Sequence, residues 1–259
     1  MELGLKGRVA IVTGASKGIG RAIAAELAAE GCDLAICARG LEELDKVREL
    51  VASRGVRCIA KHVDITKPDD IDALVSEVER VFGRLDILVN NAGGARPGTF
   101  ATLTDGDFLG DYALKVLGQV RCTRAALRLL EKSSAPRVIN INAIVGRVVA
   151  PGLFATATHR AACFALSKAL AQELAPKRIL VNSVNIGFVL TPQFENIRNR
   201  LAPGKSIEEF AAERAKAVPL GRFGTPEEVS GLVAFLASDR ASYISGASID
   251  VGGGYGAQV

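Results

Sequence analysis

The chain has 259 residues, of which 49% are hydrophobic, and its net charge is +4. This composition supports a sizeable core, and the small, dispersed charge argues against a nucleic-acid partner. No segment has the character of a secretory signal or a membrane span, so we expect no membrane partner. The five scattered cysteines form no CxxC pair, and we therefore predict no disulfide framework, no metal site and a cytoplasmic location.

Short β-branched runs alternate with Ala- and Leu-rich stretches of helical period along the whole chain. The predicted strands are Arg8–Val12, Asp33–Ala38, Val56–Ala60, Asp86–Asn90, Arg137–Asn142, Ile179–Val184 and Ser248–Val251. The predicted helices are Ile19–Glu30, Leu41–Arg54, Pro68–Phe82, Asp107–Glu131, Phe154–Ala175 and Pro226–Ala237. This alternation predicts an α/β fold with one domain over residues 1–259, a Rossmann-type, doubly wound, seven-stranded parallel sheet in a three-layer αβα arrangement.

Residues 191–219 interrupt this rhythm with a polar, charged, helix-like insertion. Insertions near the carboxyl end of a strand commonly cover a ligand. We therefore predict that residues 191–219 form a substrate-covering flap.

A glycine-rich turn, Thr13-Gly14-Ala15-Ser16-Lys17-Gly18-Ile19-Gly20, joins the first strand to the first helix. Glycines at this spacing permit a tight turn and a close approach of the backbone to a pyrophosphate, which the helix N-terminus attracts. The strand before and the helix after the turn favour nucleotide binding over a purely structural turn. The predicted cofactor-binding residues in this turn are Gly14, Ser16, Lys17, Gly18, Ile19 and Gly20.

The end of the second strand indicates which dinucleotide is bound. A site for NAD places a carboxylate there to accept a hydrogen bond from the ribose 2′-hydroxyl, and Ala38 has none. Arg39 and Lys17 carry the charge that a 2′-phosphate requires, so NADP(H) is the predicted cofactor. The alternative is that both cations are solvated surface groups.

With Asn90-Asn91-Ala92-Gly93 after the fourth strand, the chain resembles the short-chain dehydrogenase/reductase family over nearly its whole length. The resemblance extends to Val63-Asp64-Ile65 and to Thr191 in the loop after the sixth strand. It implies cofactor contacts from Asp64, Ile65, Asn91, Ala92, Gly93, Val189 and Thr191, and assembly as a homotetramer or homodimer.

The family's chemistry is carried by an Asn–Ser–Tyr–Lys tetrad, and the corresponding positions differ here. Counting along the chain places Lys115, Ala143, Thr156 and Arg160 where Asn, Ser, Tyr and Lys are expected. The three tyrosines, Tyr112, Tyr243 and Tyr255, lie outside the helix that should carry the catalytic one. The resemblance therefore predicts the cofactor site without the usual catalytic side chains.

Four residues remain as catalytic candidates: Lys115, Thr156, His159 and Arg160. Thr156 is a poor acid with no lysine beside it in the helix, whereas Arg160 also suits ribose hydroxyls or an anionic group. In a partly buried cleft beside Arg160, the pKa of Lys115 should fall, which suits a general acid or an anchor for an anionic substrate. The alternatives are a snorkelling surface lysine for Lys115 and a partly exposed, packed histidine for His159.

Three functions follow as hypotheses. The first is an NADP(H)-dependent oxidoreductase with a non-standard active site that reduces a small-molecule carbonyl, imine or activated alkene. The second is a non-redox lyase, isomerase or cyclase that retains the cofactor as a structural element. The third is a catalytically silent NADP(H)-binding subunit, because a fold alone does not fix a function.

Overall fold

The computed structural model describes residues 2–256, and its strands follow the predicted order. They are β1 (Val9–Thr13), β2 (Asp33–Ala38), β3 (Cys58–His62), β4 (Ile87–Asn90), β5 (Arg137–Ala143), β6 (Leu180–Ile186) and β7 (Ser248–Val251). All paired strands are parallel, in the order β3-β2-β1-β4-β5-β6-β7. The strand order reverses between β1 and β4, which opens a crevice at the carboxyl ends of these two strands. The predicted seven-stranded Rossmann-type sheet is confirmed.

Helices cover both faces of this sheet. They are α1 (Gly18–Ala29), α2 (Leu41–Ala52), α3 (Pro68–Phe82), α4 (Asp105–Tyr112), α5 (Gly118–Leu130), α6 (Phe154–Leu174), α7 (Pro192–Leu201), α8 (Ile207–Ala215) and α9 (Pro226–Ala237). At the start of α9, the Glu228 carboxylate accepts a hydrogen bond from the Thr225 backbone N–H at 2.9 Å.

Two apolar cores lie on opposite faces because successive strand residues point to opposite sides. In β1, Ala10 and Val12 face a core shared with α1, α2 and α9, whereas Val9 and Ile11 face a core shared with α3, α5 and α6. Burial on both faces explains why the strands are continuous β-branched runs rather than alternating patterns.

The stretch predicted as one helix, Asp107–Glu131, is not continuous. A π-helical segment, Ala113–Leu117, separates α4 from α5. Ile65 packs closely on Gly118 at this point, since a Cβ on Gly118 would lie 2.6 Å from Ile65 Cδ1. Glycine is also a weak helix former, and π-helical turns often occur at functional sites. The interruption matters because Lys115 lies inside it.

The insertion at residues 191–219 contains α7 and α8, which pack together through their aromatic side chains. Phe194 and Phe210 form a small buried cluster with Phe223, separate from the two main cores. Among the helices of residues 2–256, none has the length and apolar character required to cross a bilayer.

Candidate active site

The glycine turn between β1 and α1 lies at the crevice and leaves no room for side chains on its inner face. A Cβ on Gly20 would lie 2.3 Å from the carbonyl oxygen of Gly14. Gly14 itself has φ +66°, and a Cβ there would lie 2.7 Å from Ala92 Cα. The glycines are therefore required both by backbone conformation and by close packing.

The N-terminus of α1 begins inside this turn and has no side-chain cap. Lys17 occupies the N-cap position without capping the helix, and the first turn contains no acidic residue. The backbone N–H groups of Gly18, Ile19 and Gly20 are thus directed at the crevice, where the helix dipole favours an anion. A pyrophosphate fits both the charge and the close-approach requirement of this turn.

Asn91 holds the turn against the end of β4. Its Nδ2 donates to the carbonyl oxygens of Thr13 at 2.8 Å and Gly14 at 3.1 Å, while the backbone N–H groups of Asn91 and Ala92 donate to Thr13 Oγ1. Asn91, which the sequence predicts to contact the cofactor, therefore stabilises the conformation of the glycine turn through hydrogen bonds.

Thr191 reaches the same turn from the other side. A Cβ on Gly18 would lie 3.2 Å from Thr191 Cγ2, and Val189 is buried two residues before Thr191. The beginning of the 191–219 insertion is thus in contact with the glycine turn.

The predicted phosphate-binding cations lie at the exposed edge of the crevice. Arg39 follows β2 and Lys17 lies in the glycine turn, and neither forms an ion pair with any carboxylate of residues 2–256. Asp64, after β3, is near enough to Arg39 to sense its charge. Desolvation raises the pKa of Asp64, but hydrogen bonds from Thr66 and the charges of Arg39 and Lys67 lower it overall.

A buried ionic cluster lies between the π-helical segment and α6. The Lys115 Nζ is 2.6 Å from Asp111 Oδ1 and 2.7 Å from Asp111 Oδ2, and it also donates to Thr156 Oγ1 at 3.0 Å. The other contact of Asp111 is with His159 Nδ1 at 2.8 Å. Lys115, Thr156 and His159 are thus brought together around Asp111, which the sequence analysis did not identify.

Lys115 is 1% exposed, so the alternative of a surface lysine is wrong. Burial lowers the pKa of its ammonium to about 8, with a contribution from Arg160, whereas Asp111 acts in the opposite direction. Its Nζ forms an ion pair with Asp111 and donates hydrogen bonds to Asp111 Oδ2 and Thr156 Oγ1. Lys115 is therefore a buried residue that contacts the Thr156 hydroxyl.

His159 is 2% exposed and packs edge-on against Phe108, with its Nε2 buried and without a partner among the described residues. Because an ionised carboxylate only accepts hydrogen bonds, the contact with Asp111 assigns the proton of the neutral ring to Nδ1. Tyr112 also packs against His159. His159 is thus a buried partner of Asp111 rather than the partly exposed histidine considered above.

Arg160 links α6 to the ends of β4 and β5. Its Nη1 donates to the Ile141 carbonyl at 2.8 Å and to Asn142 Oδ1 at 3.2 Å. On the other side, a Cβ on Gly93 would lie 2.9 Å from Nη2, while Nε is buried without a partner in the described part of the chain. The guanidinium therefore keeps donors directed at the loop after β4, which suits a polar ligand at that loop.

These features define a dinucleotide-binding α/β protein with a polar, partly buried site next to the cofactor crevice. A family profile described as enoyl-(acyl carrier protein) reductase matches residues 14–256. The chain is 37% identical over 251 residues to the oxidoreductase UcpA of Salmonella typhimurium, covering 96% of this chain and 95% of that protein. It is 35% identical over 255 residues to the 3-oxoacyl-[acyl-carrier-protein] reductase FabG of Aquifex aeolicus, covering 98% and 99%.

A solved structure gives the same result. L-Sorbose reductase from Gluconobacter frateurii, in complex with NADPH and L-sorbose, matches with a TM-score of 0.95 and 32% identity over 100% of both chains. The chain belongs to the short-chain dehydrogenase/reductase family.

Proposed function

We propose that this protein is an NADP(H)-dependent oxidoreductase that reduces a carbonyl, imine or activated alkene of a small molecule. The main support for the proposal is the glycine turn, which suits a dinucleotide cofactor because Gly20 has no room for a side chain and the uncapped α1 N-terminus faces the crevice. NADPH, when bound, supplies a hydride to the substrate. The choice of NADP(H) agrees with the NADPH complex of L-sorbose reductase, a relative of the same fold.

We assign the parts of the cofactor to the residues around the crevice. The N–H groups of the glycine turn would hold the pyrophosphate, and Lys17 and Arg39 the 2′-phosphate. Asp64 and Ile65 would contact the adenine. The nicotinamide end would be held by Asn91, Ala92, Gly93, Arg160, Val189 and Thr191.

The proposed active site differs from the Asn–Ser–Tyr–Lys pattern of the family. Lys115, Ala143, Thr156 and Arg160 would occupy the four positions. The position of Ala143 at the end of β5, and of Thr156 and Arg160 one turn apart on α6, supports this assignment. The sequence of α6 contains no tyrosine that could act in place of Thr156.

We further propose that residues 191–219 cover the substrate. The contact of Thr191 with Gly18 supports this, because it places the start of the insertion beside the cofactor crevice. The cations Lys115 and Arg160 favour an anionic substrate, since both lie near the site and, within residues 2–256, share the single carboxylate of Asp111 as their opposite charge.

The experiment measures NADPH absorbance during incubation with a panel of ketones, ketoacids, imines and enoyl compounds. We expect loss of absorbance with at least one class and formation of the reduced product in equal amount. NADPH affinity is measured separately by nucleotide fluorescence, with Arg39→Ala as a variant that should weaken binding. Tight binding without turnover across the panel would refute the reductase proposal and leave the cofactor site intact.

One alternative function has a specific observation in its favour. Lys115 is 1% exposed and its Nζ is already bonded to Asp111 and Thr156, which suits a cofactor-binding subunit that does not turn over substrate. NADPH binding with no product on the whole panel, together with purification alongside an active relative, would support that alternative.

We also propose assembly as a homotetramer or homodimer in the cytoplasm. The family resemblance supports the assembly, and the five free cysteines, four of them buried, suit a reducing compartment. Light scattering on the purified protein would test the assembly, and a monomeric mass would refute it.

A further inference from the structure

The Thr156 hydroxyl has an unusual set of partners. It is 5% exposed, and its Oγ1 accepts hydrogen bonds from the Arg96 backbone N–H at 2.9 Å and from Lys115 Nζ at 3.0 Å. A hydroxyl oxygen has two lone pairs and one hydrogen. Both lone pairs are engaged, so the hydroxyl is left only with a hydrogen to donate.

No acceptor within residues 2–256 takes this hydrogen. Threonine in a helix can donate to the carbonyl four residues earlier, and Thr158 does so, with its Oγ1 3.0 Å from the Phe154 oxygen. Thr156 makes no such bond, because Gly152, four residues earlier, lies before the start of α6 and its carbonyl accepts from the Gly98 backbone N–H. The surroundings of Thr156 thus prepare it as a donor to a group outside the protein.

The hydroxyl lies next to the proposed cofactor crevice. Thr156 and Arg160 are at i and i+4 and share one face of α6. Arg160 reaches Gly93, and the neighbouring Ala92 packs against Gly14 in the glycine turn. A donor on this face is therefore within one helical turn of a group that contacts the cofactor loop.

We propose that the Thr156 hydroxyl donates a hydrogen bond, and then its proton, to the oxygen of a carbonyl substrate, and that the Lys115 ammonium restores that proton. This inference rests on the proposed reductase function. It assigns the acid to a hydroxyl and an ammonium that come from different helices.

In the proposed proton transfer, each bond that breaks is matched by a bond that forms. When the carbonyl carbon accepts a hydride, the C=O π bond breaks and negative charge develops on the substrate oxygen. The Thr156 O–H bond then breaks as a new O–H bond forms on that oxygen, and one Lys115 N–H bond breaks as Thr156 regains its hydrogen. After the product leaves, a proton from the buffered solvent is passed through the Thr156 hydroxyl to the buried Lys115 amine, which restores the ammonium, and Asp111 keeps the lysine in place throughout.

Both charged and titratable groups surround the ammonium. Asp111 from the end of α4, Arg160 and Cys163 from α6, and His159 through Asp111 all lie near Lys115. Burial lowers the pKa of Lys115 to about 8 despite the opposing effect of Asp111, so this lysine gives up a proton more readily than an exposed one. Direct transfer from Lys115 to substrate is disfavoured because the ammonium is buried behind Thr156, with its side chain 0% exposed.

The test compares three variants on α6. Thr156→Val keeps the shape but loses the hydroxyl, Thr156→Ser keeps the hydroxyl, and Thr158→Val is the matched control. With a substrate from the panel above, we expect Thr156→Val to lower kcat on the order of 10²–10⁴-fold, the usual value of positioned proton transfer. Thr156→Ser should restore most of it, Thr158→Val should have no effect, and NADPH affinity should be the same in all of them.

A second readout does not depend on turnover. Isotope-labelled acetone is added to the protein with NADP⁺, and the infrared band of its carbonyl is recorded. A hydrogen bond from Thr156 should shift the band to lower frequency in the wild type and in Thr156→Ser, and the shift should disappear in Thr156→Val.

These results separate the two proposals. A shifted carbonyl band without reduction of any substrate would refute the reductase function while supporting Thr156 as a donor. Reduction that persists undiminished in Thr156→Val would overturn the role of Thr156 and leave the reductase function standing. Absence of a shifted band in the wild type would also overturn the donor role.

Discussion

The buried pair of Asp111 and Lys115 allows a quantitative test of the site. The side chains are 3% and 0% exposed, and the atoms Nζ and Oδ1 are 2.6 Å apart. Removing one partner of such a pair leaves an uncompensated buried charge, which typically lowers the free energy of unfolding by about 3–5 kcal/mol. We therefore expect losses of this size for Asp111→Asn and for Lys115→Met when each is made alone.

The double variant should be more stable than the sum of these losses implies. It removes both charges together, so neither remains unpaired, and we expect a coupling of about 0.5–3 kcal/mol between the two sites. The assay is urea unfolding followed by circular dichroism near neutral pH, with the slope m checked to be constant. Additive losses, within about 0.5 kcal/mol, would refute the idea that this pair is electrostatically coupled.

The surface pair of Glu79 and Arg128 provides the matched control. Its side chains are 36% and 61% exposed, and the two residues form an ion pair. Exposed pairs contribute only about 0–1 kcal/mol, so Arg128→Met should change the unfolding free energy little. A loss as large as that of Lys115→Met would show that burial is not the cause.

The lowered pKa of Lys115 leads to a prediction of how the free energy of unfolding depends on pH. The folded pKa of Lys115 is about 8, below its ordinary value of 10.5. Between these values the unfolded chain binds the proton and the folded chain does not, so folding stability from this group rises with pH. The difference corresponds to about 3 kcal/mol across the interval. Lys115→Met should lose this rise, and an unchanged pH profile would contradict the lowered pKa.

Three further predictions concern the cofactor site and one helix end. Arg39→Ala should weaken NADPH binding about 10–100-fold, because it removes a charged hydrogen bond to the 2′-phosphate. Fluorescence titrations should show NADH affinity unchanged, and equal weakening of both cofactors would contradict a 2′-phosphate contact. Gly20→Ala should abolish NADPH binding and lower the unfolding free energy by about 1–3 kcal/mol, because the added Cβ would lie 2.3 Å from the Gly14 oxygen. The control is Gly231→Ala, whose added Cβ would meet no atom within 4 Å, and this variant should bind NADPH normally. Ser206→Ala should lower the unfolding free energy by about 1 kcal/mol in the urea assay, since it removes the hydroxyl that caps α8, and an unchanged midpoint would exclude that role.

The fold was predictable because its signals are local. Buried parallel strands appear as β-branched runs, and the glycine turn follows the first of them directly. The π-helical interruption at Ala113–Leu117 was not predictable in this way. Its surroundings depend on contacts between distant segments, such as Ile65 against Gly118 and Asp111 against His159. Helical periodicity contains no information about either contact.

The candidate site was only partly predictable for the same reason. Asp111 lies four residues before Lys115, a spacing that indicates a helical ion pair and could have identified it. Its second partner, His159, comes from another helix and leaves no such signal. Arg96 contributes a backbone N–H to Thr156, and no side-chain pattern in a sequence reports a backbone donor.

Thr156 and Lys115 are 41 positions apart in the chain, but Thr156 Oγ1 and Lys115 Nζ are 3.0 Å apart. This contact changes the interpretation of the altered catalytic tetrad. Along α6 there is no lysine beside Thr156, and Nη1 of Arg160 is engaged by the Ile141 carbonyl and Asn142. An ammonium from the π-helical segment supplies the neighbouring charge instead. If the hydroxyl and the ammonium act as one unit, removing either should lower kcat to a similar level, and Thr156→Val combined with Lys115→Met should lower it little further. Fold-losses in kcat that multiply in the double variant would show that the two groups act independently.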